Sequence, residues 1–212
     1  MTAQLPRNGL YAITPSTLKP EVLLERVELA LSSGIALLQY RDKNSPAAKK
    51  LAIAKALQKL CRQYHTAFII NDEPQLALDC QADGVHLGQG DGSLKLARQL
   101  LGEDAIIGIT CHHDLPLAIT AQQQGADYVA FGRFFNSHTK PGKPLADTAL
   151  LLEAKQRLNI PVVCIGGINA GNGKALIRAG ADYLAVVEAL FSATDIVQTC
   201  GDFSAQFKFN SE

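Results

Sequence analysis

Short apolar runs alternate along this chain with longer stretches in which apolar residues recur every three or four positions. The runs fall at residues 10–14, 35–40, 67–71, 84–87, 106–110, 128–131, 162–165 and 183–187. Their length and their content of Ile, Val, Leu, Phe and Tyr predict strands. Helical spacing marks 21–31, 46–64, a short segment from Pro74, then 93–101, 114–124, 145–158, 170–179 and about 194–207. Ser45 reads as the N-cap of the second helix, with Pro46 at its first position. Gly34, Gly102, Gly125 and Gly180 stand where helices should stop.

Eight strands in alternation with eight helical segments predict a parallel sheet covered on both faces. The expected fold class is α/β, a single (β/α)₈ TIM barrel spanning residues 1–212 as one domain. The 212 residues are few for such a barrel, though within its range. A doubly wound open sheet is the runner-up. It would want fewer strands and a glycine fingerprint after the first strand, where Pro15 and Ser16 stand instead.

Three segments resemble one another: QADGVHLG (81–88), GADYVAFG (125–132) and GADYLAVV (180–187). Their aspartates, Asp83, Asp127 and Asp182, fall at strand starts, on the face of a barrel that serves stability rather than chemistry.

Composition narrows the partners. About half of the residues are hydrophobic, enough for a sizeable core. Lys plus Arg and Asp plus Glu number 20 each, with no basic block, which argues against a nucleic-acid partner. No apolar stretch approaches the roughly 18 residues of a membrane span, and the first residues do not read as a secretory signal. The expectation is a cytoplasmic protein without membrane partners; a homo-oligomer is left open. Cys61, Cys80, Cys111, Cys164 and Cys200 are widely spaced and read as buried apolar residues. Only Cys111, beside a strand end, is placed where chemistry could reach it.

In a TIM barrel the residues just after each strand build the site. Those positions hold Gln39, Tyr40, Arg41, Asp42 and Lys43; Asn71 and Asp72; Gln89 and Asp91; Thr110 and His112; Ser137, His138, Thr139 and Lys140; Gly166 and Gly167; and Glu188. Two carboxylates among several cations point to a metal–phosphate site. Asp72 and Asp91 suit Mg²⁺, which takes one or two carboxylates and completes its shell with water and phosphate oxygens. Arg41 offers a bidentate fork to phosphate; Lys43 and Lys140 are point charges. Any one of these could equally be a surface ion pair, but their convergence on neighbouring strand ends favours a site. Gly166-Gly167 before a helix predicts a phosphate cradle. The polar loop 132–144 is expected to act as a mobile lid carrying Ser137, Thr139 and Lys140. His86 reads as a residue of the barrel interior and His65 as exposed. His112, His113 and His138 show no metal-ligand spacing.

The segments GLYAITP, QYRDK, INDEPQLAL, DGVHLGQGD, GITCHH, FGRFFNSHTK, CIGGINA and GADYLAVV, in this order and over nearly the whole chain, resemble thiamine phosphate synthase. The thiazole tautomerase, a relative, shares the fold and several segments. The resemblance implies coupling of a hydroxymethylpyrimidine diphosphate with a thiazole phosphate, releasing pyrophosphate. It implies that Gln39, Arg41, Lys43, Asn71, Thr110 and Lys140 bind the pyrimidine diphosphate, with Tyr40 and Asp42 in the same segment. It implies Mg²⁺ on Asp72 and Asp91. Ser137, His138, Thr139 and Gly167 would take the thiazole phosphate, with Val187 and Glu188 closing that site. Arg41, Lys43, Lys140 and Thr110 are the expected catalytic group. Two positions depart from the family pattern. Glu188 stands where a serine is frequent, and a glutamate would repel phosphate unless it points away. Asn136 and Ser137 stand for a frequent Pro-Thr, keeping the hydroxyl. Competing readings are the tautomerase, a non-catalytic phosphate-binding regulatory barrel and a sugar-phosphate isomerase.

Overall fold

The computed structural model describes residues 5–136 and 146–208. Its centre is a closed, all-parallel barrel in sequence order, β1 to β8, with β1 paired to β8. The strands are β1 (Gly9–Ile13), β2 (Leu37–Tyr40), β3 (Ala67–Asn71), β4 (Gly84–Leu87), β5 (Ile106–His112), β6 (Tyr128–Gly132), β7 (Val162–Ile165) and β8 (Tyr183–Val186). The helices are α1 (Pro20–Ser32), α2 (Ala47–Gln63), α3 (Pro74–Cys80), α4 (Leu94–Leu101), α5 (Leu115–Gln123), α6 (Thr148–Arg157), α7 (Gly173–Arg178), α8 (Glu188–Phe191) and α9 (Ile196–Phe207).

The expected TIM barrel is therefore the observed one, and the open sheet is excluded by closure. Local departures have physical causes. Pro46, not Ser45, occupies the cap of α2, because the Ser45 N–H is already held by Asp42 Oδ1 at 3.0 Å. The segment predicted as one helix over 170–179 becomes a turn and then the short α7. Asn169 and Asn172 side chains bond to Gly171 N and Asn169 N, an arrangement that competes with helix. The helix α8 was not foreseen; it follows β8 directly, with no proline or glycine to mark its start.

Strand alternation divides the core in two. One face of each strand packs with the helices, in a cluster that includes Leu38, Tyr40, Phe68, Ile70, Cys111, Phe131 and Cys164. The other face fills the barrel with Tyr11, Ile13, Leu37, Ala67, Ile69, Ile106, Tyr128, Ala130, Val163, Tyr183 and Ala185. Cys111 thus belongs to the helix-facing layer, fully buried, and burial pushes its thiol up to about 12. It does not face the mouth. All five cysteines are free and buried.

The amino-terminal end is held by the three repeated aspartates. Oδ2 of Asp83, Asp127 and Asp182 accepts from Phe68 N (2.8 Å), Ile107 N (2.7 Å) and Val162 N (2.8 Å). Their own N–H groups donate to carbonyls of Phe68, Ile107 and Val162 at 2.8–2.9 Å. Each aspartate therefore clips the start of its own strand to a neighbouring strand. Arg98 and Lys155 add ion pairs to Asp127 (2.7 Å) and Asp182 (3.1 Å).

Candidate active site

The same alternation that puts Leu37, Ile69, Ile106 and Ala185 inside the barrel carries Gln39, Asn71, Thr110 and Val187 inward, at or just past the carboxyl ends of their strands. Val187 packs against the inner cluster. A register shift between Thr110 and His112 bends β5 after Thr110. Tyr40 has the opposite parity. Its ring lies among the helix-facing residues and its hydroxyl donates to Asp42 Oδ2 at 3.3 Å.

Asp42 is likewise committed to the loop. Its Oδ1 accepts from Asn44 N and Ser45 N, both at 3.0 Å. These bonds outweigh burial and hold its carboxyl below the usual range. Tyr40 and Asp42 therefore shape the loop that presents Arg41 and Lys43. The loop is tied to β1 through Thr14, whose Oγ1 accepts from Arg41 N at 2.9 Å.

Asp72 follows β3 with φ +64°, a left-handed conformation that aspartate tolerates better than most residues. Its N–H donates to the His86 carbonyl at 2.8 Å. This turn sets its carboxylate beside two groups. Lys43 Nζ lies 2.9 Å from Oδ2, and the Asp91 carboxyl is near enough for the two to perturb each other. Asp91 folds back over its loop so that Oδ2 accepts from Gly88 N at 3.0 Å. A Cβ at Gly88 would sit 2.4 Å from Asp91 Oδ2 and push that carboxylate out of this position. Burial pushes both carboxyls up. For Asp72 the hydrogen bonds from Lys43, Asp91 and Asn71 prevail and hold it low; Asp91 stays raised by burial and by its neighbour Asp72. Two crowded carboxylates with one cation form a site that a small divalent cation relieves. Among the described residues no cluster of three or more His, Cys, Asp or Glu side chains offers a full protein cage.

The β7 end carries the glycine pair of the expected cradle. Gly166 and Gly167 have φ +107° and +68°. A Cβ on Gly166 would meet Arg133 at 2.7 Å, and one on Gly167 would meet Asn136 O at 2.6 Å. The close approach these glycines permit is that of the segment leaving β6. The Gly167 carbonyl accepts from Asn172 Nδ2 at 3.0 Å. Glu188 opens α8 with its side chain exposed, and an acidic residue in a first turn is favoured by the helix dipole. Loops after strands 7 and 8 with a short extra helix are a frequent phosphate-binding arrangement in TIM barrels. Ser137, His138, Thr139 and Lys140, and the larger part of the expected lid, lie outside the described residues.

Below the mouth runs a feature that periodicity alone does not announce. Gln39 Nε2 donates to the Tyr11 hydroxyl (2.8 Å), Tyr11 bonds to the Tyr128 hydroxyl (2.8 Å), Tyr128 to His86 Nδ1 (3.0 Å) and His86 Nε2 to Thr110 Oγ1 (2.8 Å). His86 is in the interior, as expected, and burial pushes its pKa down to about 4. The two tyrosines were missed. The available signal was their parity with Ile13 and Ala130, together with the need of a buried Tyr hydroxyl for a partner.

A closed parallel barrel whose carboxyl-end mouth gathers cations and carboxylates defines a TIM-barrel enzyme acting on phosphorylated small molecules. The chain belongs to the thiamine monophosphate synthase family, whose model matches residues 10–190. It is 52% identical over 207 residues to a thiamine-phosphate synthase of Alcanivorax borkumensis, covering 96% of this chain and 95% of that protein. It is 53% identical over 204 residues to one of Marinobacter nauticus, covering 95% and 91%. Among solved structures it resembles a thiamine phosphate pyrophosphorylase from Pyrococcus furiosus, with TM-score 0.86, 32% identity, and 97% and 98% of the two chains covered. Among the described residues no helix is long and apolar enough to cross a membrane.

Proposed function

We propose that this protein couples hydroxymethylpyrimidine diphosphate with thiazole phosphate, giving thiamine phosphate and pyrophosphate. The observation that carries the reading is the Lys43–Asp72–Asp91 cluster past the ends of β2 to β4. A thiazole tautomerase has no need of this half of the site, and a non-catalytic relative would be expected to have lost it. Family membership and about 50% identity to named synthases support the same choice.

The chemistry follows from the charges. The carbon–oxygen bond to pyrophosphate breaks, and both its electrons leave with pyrophosphate. The electron-rich aminopyrimidine stabilises the carbon left behind, and the thiazole nitrogen lone pair then forms the new carbon–nitrogen bond. No protein base is required. The protein must meet the charge growing on pyrophosphate with cations already in place. Arg41 and Lys43 supply this from the β2 loop, and Lys140 is proposed to join them. Asp72 and Asp91 would hold Mg²⁺, which when bound supplies Lewis-acid neutralisation of the diphosphate. Gln39, Asn71 and Thr110 orient the pyrimidine from the barrel floor. Gly167, Val187, the backbone at the start of α8, and Ser137, His138 and Thr139 are proposed for the thiazole phosphate. The exposed Glu188 side chain is proposed to turn away from that phosphate. The proposed setting is the cytoplasm.

Incubation with both substrates and Mg²⁺, assayed for thiamine phosphate and pyrophosphate, tests the reading. Both products should form in equal amounts. No product from well-folded protein would sink it. Product formation undiminished by EDTA would remove the metal assignment and leave the coupling intact.

A further inference from the structure

The buried chain from Gln39 to Thr110 has a sense, and the sense is set by counting protons. Gln39 Nε2 is a donor, so the Tyr11 oxygen accepts. The Tyr11 proton is then free for the Tyr128 oxygen, 2.8 Å away. The Tyr128 proton then has one acceptor left among the described partners of its hydroxyl, His86 Nδ1, 3.0 Å away. An Nδ1 that accepts leaves a neutral imidazole with its proton on Nε2, which donates to Thr110 Oγ1 at 2.8 Å. The Thr110 hydroxyl cannot donate back to the histidine. Among the described residues no protein acceptor receives its proton, and it stands at the floor of the mouth.

The Gln39 amide sets the sense, and burial keeps the links intact. Tyr11, Gln39 and Tyr128 are at most 2% exposed and His86 is 8% exposed, so water cannot readily replace a broken link. Tyr11 and Tyr128 meet edge to face at 81°, while His86 and Tyr128 stack with nearly parallel planes, 15° apart. Gly108 makes the room: a Cβ on it would lie 2.0 Å from the Tyr128 ring.

We propose that Tyr11, Tyr128 and His86 are positioning residues that fix the Thr110 hydroxyl as a hydrogen-bond donor to the pyrimidine diphosphate. The role given to Thr110 rests on the function proposed above; the sense of the chain does not. The consequence is selectivity by polarity. The floor at Thr110 accepts a ligand atom with a lone pair and disfavours one that carries a proton.

The test has two arms. Nitrogen-15 NMR of the imidazole in the intact protein should show His86 as the Nε2–H tautomer, and as a mixture of tautomers in Tyr128→Phe. Tyr11→Phe, which cuts the chain one link earlier, should give the same mixture should Tyr128→Phe fail to fold. An Nδ1–H tautomer in the unmodified protein, or unchanged tautomers in the variants, overturns the relay whatever the protein catalyses. The second arm is kinetic. Tyr128→Phe should raise the KM for the pyrimidine diphosphate about tenfold, one hydrogen bond's worth, with little change in kcat or in the KM for the thiazole phosphate. Thr110→Val should raise the same KM at least as much, Thr110→Ser should restore it, and the Tyr128→Phe, Thr110→Val double variant should be no worse in that KM than Thr110→Val alone. Additive losses, or equal losses for both substrates, would reduce the chain to packing.

Discussion

Two ion pairs in this molecule have nearly the same geometry and opposite surroundings. At the amino-terminal end Lys155 lies 3.1 Å from Asp182, with side-chain exposures of 56% and 21%; at the mouth Lys43 lies 2.9 Å from Asp72, with 54% and 18%. Distance and exposure do not tell them apart. What differs is what else the carboxylate does. Asp182 accepts from Val162 N and its own N–H is bonded to the same residue, so its charge is satisfied within the sheet. Asp72 faces a second carboxylate, Asp91, which stays raised by burial and by that contact. Satisfied charge holds a fold together. Crowded charge is held in reserve for something that arrives.

The contrast breaks most visibly at Asp72. Asp72→Asn keeps the shape and the tolerance of left-handed backbone, and should lower product formation on the order of 10²–10³-fold. Its circular dichroism and melting temperature should match the parent protein; loss of fold would return Asp72 to a structural role. Lys43→Ala should come next, raising the KM for the pyrimidine diphosphate about 10–100-fold, as expected for a lost charge-assisted hydrogen bond. A salt-insensitive KM in the parent protein would contradict it. The other end should respond in stability alone. Asp127→Ala strips an acceptor from Ile107 N and a partner from Arg98, and should cost about 1–3 kcal/mol in urea denaturation while kcat at saturation holds. A kcat loss matching that at Asp72 would erase the distinction between the ends. Lys155→Ala should change stability by about 1 kcal/mol or less, and activity not at all.

Much of this division could be read before any coordinates. Strands β3, β4 and β7 were placed to the residue, because runs bounded by histidine, asparagine, glycine and proline leave little choice of ends. Asp83, Asp127 and Asp182 announced themselves by repetition. The polar positions at the mouth followed from strand ends alone. What stayed hidden has a common cause: it depends on contacts across the barrel or on competing local bonds. Tyr11 and Tyr128 are 117 residues apart, and no spacing pairs them. Gly166 and Gly167 read as room for phosphate, and the close approach of Arg133 and Asn136 is a second demand on them that no local spacing announces. Ser45 had the right chemistry for a cap, but Asp42 had already engaged it. Tyr40 and Asp42 carry site-like side chains in a site-like segment, and only strand parity and the turn at Asn44 show that they build the segment.

The plug of side chains inside the barrel makes the enzyme a cup rather than a tube. Tyr11, Tyr128 and Tyr183 fill its depth, and the Tyr183 hydroxyl is fastened to the Pro6 carbonyl at the base. For the coupling proposed above, two substrates and two products must therefore share one doorway. Order of arrival and departure becomes a matter of traffic: whichever partner settles deepest has to enter first, and its product leaves only when the rim is clear.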